Sequence, residues 1–414
     1  MRIALTTWSG RGVGGTETYI GRIIAQLSNR GHEIALCYER DVPADRQPIP
    51  RPSGAPAWGA DTLGEDGALA ALCRWKPDVI YAHGLLSPAL ERRTLDAAPG
   101  VFFAHGYFGT CITAQKTQRF PVITPCDRSF GPACLALFYP RRCGGLNPLT
   151  MARDYQRQAR RLEMLRRYRA VLTATEHMKR EFLRNGAAGG CVFNCSYSSR
   201  GGADVGRPAV THTRAAAAAR NRLLFVGRMD RLKGGRELLR AVDIVQGQLR
   251  EPLSLVFAGD GPERASWEDL ARRLRRPGLT IEFAGWVAAE NLPELLDGCD
   301  AVVMPSLWPE PYGLVGPEAN RRGVPVVAYA SGGIPEWLQE GINGCLAPAD
   351  PPTIAGLADA IVRCLHSLSA SSALKDGALR LSDASCDEAH LSGLEEVLAQ
   401  AASGGVITGP GGAA

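Results

Sequence analysis

Runs of apolar residues bounded by glycine or proline alternate with amphipathic stretches along most of this chain. The alternation is typical of parallel β-sheets covered by helices, because a strand that is buried on both faces is apolar throughout. The predicted strands are RIALTTW, HEIALCYE, DVIYAHG, VFFAHG and AVLTATE in a first series, and NRLLFVGR, LSLVFAGD, TIEFAGW, AVVMPS, VPVVAYA and NGCLAP in a second. The pattern therefore predicts an α/β fold with two parallel-sheet domains.

The break between the two series predicts the domain organisation. A Gly-, Ser- and Pro-rich stretch with a run of alanines separates them and is typical of a linker. The predicted parts are an N-terminal domain (1–196) with a Cys-rich insertion (108–148), a linker (197–220), a C-terminal domain (221–384), a helix that can pack back on the N-terminal domain (385–402) and a flexible tail (403–414). Two such α/β halves are expected to leave a central cleft between their facing strand ends, where ligand sites are common.

Length and composition agree with this organisation. A chain of 414 residues exceeds one ordinary core, and 45% hydrophobic with 21% charged residues is typical of a soluble globular protein. The chain contains no run of eighteen apolar residues, so no membrane-spanning helix is predicted. The N-terminal MRIALTTWSG continues directly into a glycine loop, which indicates a first strand and not a signal peptide.

The net charge of +5 is unevenly distributed. Residues 141–184 contain twelve arginines and lysines against four carboxylates, and five of these arginines are expected near one helical face: Arg153, Arg157, Arg160, Arg161 and Arg167. Such a segment is either an ordinary solvated helix face or a surface for anionic lipid or a polyanionic acceptor. Few aromatic residues accompany it, so nucleic-acid binding is not predicted.

Twelve cysteines are scattered along the chain, which favours a reducing, cytoplasmic setting over a disulfide framework. Cys111, Cys126, Cys134 and Cys143 fall within the predicted insertion, but none of them forms a C-x-x-C pair. The spacing leaves free thiols and a structural metal site both open.

The segment SLWPEPYGLVGPEANRRG carries the most specific chemistry. Glu310 follows a predicted strand, and Glu318 lies in the first turns of the following helix. The backbone N–H groups of Gly313, Leu314 and Val315 are expected to be unpaired at this helix start, where a phosphate is favoured. We therefore predict a site for a phosphorylated ligand with two carboxylates beside it.

Two further loops after strands have phosphate-binding character. Residues Gly10–Gly15 match G-x-G-x-x-G, and Glu39 ends the second strand about where a ribose-binding acid would lie in a dinucleotide-binding domain. In the second half, Arg228 ends a strand and Lys233 follows it beside a glycine pair. Two cations in that position can clamp a diphosphate and stabilise a departing nucleotide.

Two histidines lie in equivalent positions of the first half, each after a strand and before a glycine. They are His83 in YAHG and His105 in FAHG. Both fit an ordinary turn histidine with a satisfied ring, but strand ends of this kind are also where ligands bind. His105 is the preferred site candidate, because it leads into the insertion.

Taken together, these motifs resemble the retaining glycosyltransferases of family 4, which have the GT-B fold. The resemblance rests on GGTETYIGRIIAQLSNRGHEIALCYE, FVGR with Lys233-Gly234, FAGDGP, FAGW, and EPYGLVGPE followed by GVPVVAYASGGIPE. It covers most of residues 1–107 and 165–350, whereas the insertion at 108–148 is outside the general family pattern. It implies two Rossmann-like domains and a nucleotide-diphosphate sugar, UDP- or GDP-linked, as donor substrate, with no further cofactor and no metal.

The resemblance also implies roles for single residues in donor binding. Arg228 and Lys233 would bind the diphosphate, and the backbone at Gly14 and Gly15 would approach it from the N-terminal domain. Glu318 would accept hydrogen bonds from the ribose hydroxyls.

The catalytic residues implied by the family are Glu310 and His105. Glu310 would hold sugar hydroxyls near the reacting carbon, and the amides of residues 313–315 would complete the sugar and phosphate contacts. His105 matches the family histidine that contacts the donor sugar. The implied reaction is transfer, with retention, to a hydroxyl of a glycan, lipid-linked or small-molecule acceptor in polysaccharide or glycoconjugate synthesis. The implied location is the cytoplasm, and the basic segment 141–184 allows peripheral contact with an anionic membrane.

Three other functions remain alternatives. A nucleotide-sugar epimerase could use the same two-domain architecture and the same donor. An NAD-dependent oxidoreductase would use Gly10–Gly15 and Glu39, but would leave Arg228 and Lys233 without a role. A non-catalytic carbohydrate or polyanion binder would depend on segment 141–184.

Overall fold

The computed structural model describes residues 1–12, 14–42, 47–196, 221–249, 251–382 and 385–410. The predicted linker, 197–220, lies outside the described residues. The chain forms two compact units, which are Met1–Lys116, Asp127–Ser198 and Ser385–Ala414 for unit 1, and Thr117–Cys126 and Ser199–Ala384 for unit 2.

The strands follow the predicted apolar runs. In the described residues they are β1 (Arg2–Ser9), β2 (Glu33–Arg40), β3 (Ala57–Gly59), β4 (Val79–Ala82), β5 (Gly100–Ala104), β6 (Thr117–Gln118), β7 (Thr124–Pro125), β8 (Ala170–Thr173), β9 (Val192–Asn194), β10 (Arg222–Val226), β11 (Leu253–Ala258), β12 (Leu279–Gly285), β13 (Ala301–Met304), β14 (Val326–Tyr329) and β15 (Gly344–Ala347). Each of the eleven apolar runs contains one of these strands. The short β3, β6, β7 and β9 carry too few residues for a recognisable pattern.

The helices of the described residues alternate with the strands in both units. They are α1 (Gly15–Asn29), α2 (Ala60–Trp75), α3 (Pro88–Thr94), α4 (Ala133–Leu137), α5 (Pro148–Met164), α6 (Glu176–Arg184), α7 (Gly235–Gln248), α8 (Arg264–Arg273), α9 (Leu292–Asp297), α10 (Val315–Asn320), α11 (Ile354–Ala370), α12 (Ala373–Leu381) and α13 (Ser385–Ala402). Within the described ranges, none of them combines the length and the apolar character that crossing a membrane requires.

The two large sheets have the same strand order. Unit 1 contains the order β3-β2-β1-β4-β5-β8-β9, and unit 2 contains β12-β11-β10-β13-β14-β15. Neighbouring strands in both sheets are parallel. The prediction of two parallel α/β sheets is confirmed. The order reverses between β1 and β4 and between β10 and β13, and the carboxyl ends of such strand pairs are where doubly wound folds bind ligands.

Helix α1 shows how the sequence determines an element. It begins at Gly15, after Gly14 with a φ of 113°, and it ends at Asn29, shortly before Gly31 with a φ of 83°. Its buried face contains apolar residues at helical spacing, among them Ile20, Ile23, Ile24 and Leu27. The predicted helix ending at Gly31 is therefore present, with its last turn slightly shorter.

The sheet of unit 2 is buried on both faces. Alternate residues of β10 point to opposite sides, so Leu223 and Phe225 join one core cluster while Leu224 joins another. Helices α7 and α11 cover the first face, with Val242 and Ile361 fully buried. This double burial explains why β13 and β14, in the middle of the sheet, are apolar throughout, whereas the edge strand β12 alternates partly buried with exposed residues.

The insertion is fastened to α6 by a buried ion pair. Lys116 Nζ lies 2.7 Å from Glu181 Oε2, and both side chains are almost completely buried. Arg184 Nη1 reaches the other oxygen of Glu181 at 2.7 Å, and Phe130 N donates to Asn185 Oδ1 at 2.6 Å. Ionic and polar contacts therefore help to hold this Pro- and Gly-rich segment in place.

The cysteines of the insertion, Cys111, Cys126, Cys134 and Cys143, are free thiols. Among the described residues, no three His, Cys, Asp or Glu side chains come together in a group that could hold a metal ion. The metal alternative for these cysteines therefore has no ligand set in the described part of the chain.

Helix α13 belongs to unit 1 and is held there by His390. The His390 Nε2 atom lies 3.0 Å from Tyr19 Oη, which lies 2.7 Å from Tyr81 Oη, while His390 Nδ1 donates to Ser196 O at 2.7 Å. Burial lowers the pKa of His390 to about 4. Of the predicted tail, residues 411–414 lie outside the described residues, whereas Gly405 O accepts a hydrogen bond from Arg169.

The buried ion pair predicts a stability effect of one substitution. Lys116→Met should lower the free energy of unfolding by about 3 kcal/mol, because Glu181 would lose its buried counter-charge. Lys179→Met is the matched control on α6, since the Lys179–Glu176 pair is 3.8 Å long and largely exposed, and it should cost less than about 1 kcal/mol. Urea denaturation measures both values. Equal losses in the two variants would contradict the structural role of the buried pair.

The lowered pKa of His390 predicts acid sensitivity. Below the ordinary pKa of 6.5 the unfolded chain takes up a proton at this histidine, whereas the folded protein does so only near pH 4, so stability falls as the pH is lowered between these values. When the pH is lowered from 7 to 5, the free energy of unfolding of His390→Gln, measured by urea denaturation, should therefore fall by about 2 kcal/mol less than that of the wild type. The exposed His366→Gln is the control and should behave like the wild type. An unchanged pH dependence in His390→Gln would count against this origin.

Candidate active site

The loop after β10 carries the two predicted cations of unit 2. Asp230 caps this loop, because its Oδ1 accepts hydrogen bonds from Leu232 N at 3.0 Å and Lys233 N at 3.3 Å. Arg228 is exposed and makes no side-chain hydrogen bond or ion pair with the part of the chain that the structure describes. The loop therefore presents Arg228 to solvent and fixes the backbone of Lys233.

The neighbouring strand end lies directly against this loop. Leu307 N, just after β13, donates to Leu232 O at 2.7 Å. Gly234 has a φ of 72°, and a Cβ atom there would collide with the carbonyl oxygen of Pro305. Only glycine fits this left-handed position and this close approach. The K-G pair of the sequence is thus explained by the contact between the two loops.

The contact brings Lys233 and Glu310 together. Lys233 Nζ lies 2.6 Å from Glu310 Oε1, and Ser306 Oγ donates to the same oxygen at 2.5 Å. Glu310 is almost fully buried, whereas the Lys233 side chain is 28% exposed and its ammonium lies 5.3 Å from the centre of the Trp308 ring. Lys233 has three N–H donors, and one hydrogen bond of its ammonium is found within the described residues.

The turn after Glu310 leads into α10. Gly316 N donates to Gly313 O and Glu318 N donates to Leu314 O, while the amides of Gly313, Leu314 and Val315 meet no acceptor in the described ranges. Gly313 has a φ of 85°, which few other residues adopt. These amides are therefore available to a ligand, as the sequence predicts.

Trp337 holds this turn in place through a hydrogen bond and a packing contact. Trp337 Nε1 donates to Tyr312 O at 2.6 Å, and its ring packs so closely on Gly316 that a Cβ atom there would collide with it. Glu318, in the first turn of α10, is partly buried. Unit 2 thus assembles the loop of Arg228 and Lys233, the carboxylate of Glu310 and the turn before Glu318 at adjacent strand ends.

In unit 1, the glycine loop after β1 is held by backbone hydrogen bonds. Gly10 N donates to Arg40 O at 3.0 Å and Gly12 N donates to Gln47 O at 2.7 Å. Gly14 and Gly15 follow at the start of α1 and are both exposed. The predicted glycines therefore form an open helix start in unit 1.

Glu17 lies buried in the first turn of α1, and no role was predicted for it from the sequence. Burial raises its pKa to about 7, although Arg11 and a hydrogen bond with Trp8 oppose this effect. A carboxyl group that is half protonated near neutral pH can both donate and accept hydrogen bonds. The signal in the sequence was the acid two residues after the Gly14-Gly15 pair.

Glu39 does not act as the free ribose-binding acid that an oxidoreductase would need. Its carboxylate accepts hydrogen bonds from Leu86 N and, at 2.8 Å, from Ser87 N. Both oxygens are therefore engaged by the loop after β4, and Glu39 is buried. This arrangement removes the main residue on which that alternative depended.

The predicted histidines, His83 and His105, form a pair. His83 Nδ1 lies 2.9 Å from His105 Nε2, and the His105 ring packs against both Tyr19 and Phe103. Burial lowers the pKa of His105 to about 3 and that of His83 well below its usual range. Both rings are therefore neutral at physiological pH.

Two buried ionisable side chains fix the loop after His83. Glu91 Oε2 accepts a hydrogen bond from Leu85 N at 3.1 Å, and Arg161 Nη2 donates to Leu85 O. Arg161 also lies 4.7 Å from the centre of the Phe108 ring and is buried. The prediction that places Arg161 on an exposed basic face with Arg153 is wrong, because its guanidinium is engaged by the Leu85 carbonyl.

Several residues of these sites were not predicted. Ser306, Asp230 and Trp308 contact the Lys233–Glu310 pair or its loop, and each lies within four residues of a strand end, which was the available signal. The structure brings Lys233 and Glu310 into contact and leaves Arg228 exposed at the start of the same loop.

Two protein families match this chain. The family model of Glycosyltransferase Family 4 matches residues 13–191, and that of Glycosyl transferases group 1 matches residues 220–367. A D-inositol 3-phosphate glycosyltransferase of Corynebacterium kroppenstedtii is 36% identical over 136 residues, which are 31% of this chain and 30% of that protein. The aligned part spans about a third of the length of the curated relatives it matches.

Solved structures share the fold over nearly the whole chain. Sucrose-phosphate synthase from Thermosynechococcus elongatus has a TM-score of 0.69 at 20% identity, covering 97% of this chain and 99% of that one. HepE of Anabaena in complex with UDP-glucose has a TM-score of 0.64 at 18% identity, covering 95% and 99%. Both family models and both structural likenesses agree with the two parallel sheets. The chain therefore belongs to the family 4, group 1 glycosyltransferases and has the GT-B fold.

Proposed function

We propose that this protein transfers a sugar from a nucleoside-diphosphate sugar to a hydroxyl group of a glycan, lipid-linked or small-molecule acceptor. The observation that carries the proposal is the cluster at the strand ends of unit 2, where Lys233 contacts Glu310 beside the exposed Arg228. Two cations, a carboxylate and open backbone amides are the groups that a sugar diphosphate needs. The structurally similar HepE was solved with UDP-glucose, which supports a UDP-sugar as the first donor to test.

In this proposal the diphosphate is bound by side-chain cations. Arg228 is exposed and unengaged within the described residues, and its planar guanidinium matches two phosphate oxygens. Lys233 adds a point charge, and its position is fixed by Glu310. Together they stabilise the negative charge that develops as the nucleoside diphosphate departs.

The two carboxylates have different roles. Glu310, held by Ser306 and Lys233, accepts hydrogen bonds from sugar hydroxyls, and Glu318 accepts them from the ribose. The amides of Gly313, Leu314 and Val315 bind phosphate or sugar oxygens. Among unit 1 residues, Gly14, Gly15 and His105 are the proposed ligand contacts.

The proposed reaction retains the configuration at the anomeric carbon. The acceptor hydroxyl oxygen forms a bond to this carbon on the face from which the diphosphate leaves, as the carbon–oxygen bond to the diphosphate breaks. The hydroxyl proton passes to the departing diphosphate oxygen. No carboxylate has to act as a base in this route, which agrees with the engagement of Glu310 by Lys233.

The test measures turnover with a panel of UDP-, GDP- and ADP-sugars. The readouts are the nucleoside diphosphate released and the identity of the sugar product. Arg228→Ala and Lys233→Ala should each lower kcat by about 100-fold with the preferred donor, because a lost charge contact to the leaving group costs a few kcal/mol. Arg231→Ala is the control, since Arg231 is paired with Glu237 at 2.8 Å and should leave turnover within a few-fold.

Two outcomes would contradict the proposal. A folded Arg228→Ala/Lys233→Ala double variant with wild-type turnover would remove the diphosphate assignment. A product that is an epimerised nucleotide sugar, formed without an acceptor, would replace the transferase by an epimerase.

The proposed location is the cytoplasm, with peripheral contact to an anionic membrane through segment 141–184. The side chains of Arg153 and Arg160 are exposed on α5, and Leu146 and Leu149 at its start are 84% and 78% exposed. Exposed leucines beside arginines form an amphipathic surface that suits a lipid headgroup boundary. No nucleic-acid partner is proposed.

Vesicle co-sedimentation tests this contact. The wild type should bind vesicles of equal parts phosphatidylglycerol and phosphatidylcholine, but not phosphatidylcholine alone, and 1 M salt should release it. Arg153→Gln/Arg160→Gln should weaken binding by about tenfold or more, at about 1 kcal/mol per charge. Leu146→Ser/Leu149→Ser should also weaken binding by about tenfold or more, because two apolar side chains no longer enter the headgroup boundary.

A second basic cluster provides the matched control. Arg272→Gln/Arg273→Gln/Arg275→Gln alters exposed arginines of unit 2 and should leave vesicle binding unchanged. Equal loss in this control would indicate unspecific charge attraction, and absence of wild-type binding would remove the membrane from the proposal.

A further inference from the structure

The contact between His83 and His105 constrains where each ring carries its proton. His83 Nδ1 and His105 Nε2 are 2.9 Å apart, and both rings are neutral because burial lowers their pKa values. One nitrogen of the pair must therefore carry the proton and the other must accept it. Two arrangements are available, and they leave different atoms at the far side of the His83 ring.

The surroundings of His83 distinguish these arrangements. Its Nε2 atom is buried and has no hydrogen-bond partner within the described residues. The ring packs edge-on against Tyr81, with the ring centres 4.4 Å apart, and Tyr19 and Phe103 lie at 5.9 Å and 6.5 Å. If His105 were the donor, His83 would have to bury an N–H group with no acceptor. If His83 is the donor, its buried Nε2 carries no proton and is only an acceptor without a partner. Buried N–H donors without a partner are rarer in folded proteins than buried acceptors without one, so this arrangement is favoured.

We propose that His83 donates its Nδ1 proton to His105 Nε2 and thereby fixes the proton of His105 on Nδ1. His83 is thus a positioning residue for His105. In this arrangement His105 Nε2 is occupied as an acceptor, and His105 Nδ1 acts only as a hydrogen-bond donor. Neither nitrogen of His105 can take up a further proton without breaking the pair or charging a buried ring.

The backbone on both sides of His83 keeps its ring in place. His83 N donates to Thr6 O at 2.8 Å, which ties it to the central strand β1. Two residues later, Leu85 is bound at its N–H by Glu91 and at its carbonyl by Arg161. These anchors give a role to buried charged side chains that the proposed chemistry does not use.

The inference rests on the proposed function for its catalytic meaning. A His105 that only donates from Nδ1 can bind an oxygen of the donor, such as a sugar hydroxyl or a phosphate oxygen. It cannot act as the base for the acceptor hydroxyl. The proton of that hydroxyl can then leave with the nucleoside diphosphate, as in the proposed retaining route. Tyr19 and Tyr81 are titratable groups that pack against the pair, and His390 packs against Tyr19.

The direct test is a two-bond ¹H–¹⁵N correlation spectrum of the protein labelled with ¹⁵N-histidine, which reads the tautomer of each ring without any substrate. In the wild type, His83 and His105 should both show a protonated Nδ1 and a bare Nε2 at pH 7. In His83→Phe, His105 should lose this fixed tautomer, whereas His83→Asn should keep it because the amide can donate in place of Nδ1–H.

The control is His177→Phe, which removes a different, partly buried histidine, bonded to Tyr107 Oη at 2.9 Å, and should leave the His105 signals unchanged. A protonated Nε2 on His105 in the wild type overturns the proposal. An unchanged His105 tautomer in His83→Phe also overturns it. The wild-type spectrum alone decides the matter if a variant fails to fold.

Kinetics separate this inference from the proposed function. With the donor found in the panel, His83→Phe should lower kcat about tenfold with little change in KM, and His83→Asn should have most of the wild-type kcat. The pH–rate profile of the wild type should show no ionisation of a histidine between pH 5.5 and 8. If the wild type shows the predicted tautomers but no turnover, the proposed transferase function is contradicted and the proposed hydrogen bond from His83 to His105 is supported. If the wild type turns over normally but His105 carries its proton on Nε2, the transferase function is supported and the hydrogen bond is contradicted.

Discussion

The ion pair between Lys233 and Glu310 joins the two loops on which the candidate site of unit 2 is built. A buried carboxylate is costly unless its charge is compensated, and Lys233 and Ser306 supply that compensation. The same contact aligns the loop of Arg228 with the turn that begins at Gly313. The position of every proposed donor-binding group in unit 2 therefore follows from two adjacent strand ends and one ion pair.

Unit 1 uses its buried ionisable groups differently. Glu39, Glu91 and Arg161 all bind backbone atoms of residues 85–87, directly after His83. Three charged side chains thus hold one short loop in place, while the histidine pair beside it stays neutral. The cationic groups proposed to stabilise a leaving group lie in unit 2, and the neutral hydrogen-bonding rings lie in unit 1. This division matches a reaction in which charge develops mainly on the departing diphosphate.

Much of the fold could be predicted, because strands buried on both faces leave long apolar runs between glycines and prolines. All eleven runs contain a strand, and α1 lies where the apolar spacing and Gly31 predict it. Edge strands such as β3 and β9 were missed, since three residues at a sheet edge make no pattern. Charge was the least predictable feature. Arg161 has the same sequence signature as the exposed Arg153 but is buried, because its environment depends on a loop 76 residues earlier.

The sequence by itself determined the fold class, the family and the strand-end positions of Arg228, Lys233, Glu310 and His105, because local apolar periodicity and glycine spacing are properties of contiguous residues. Only the tertiary structure decided which of these side chains meet. Lys233 and Glu310 are 77 residues apart in the chain and His83 and His105 are 22 apart, yet each pair is in contact. Parallel sheet pairing places distant strand ends side by side, and no local pattern encodes the partner, the burial or the proton position that results.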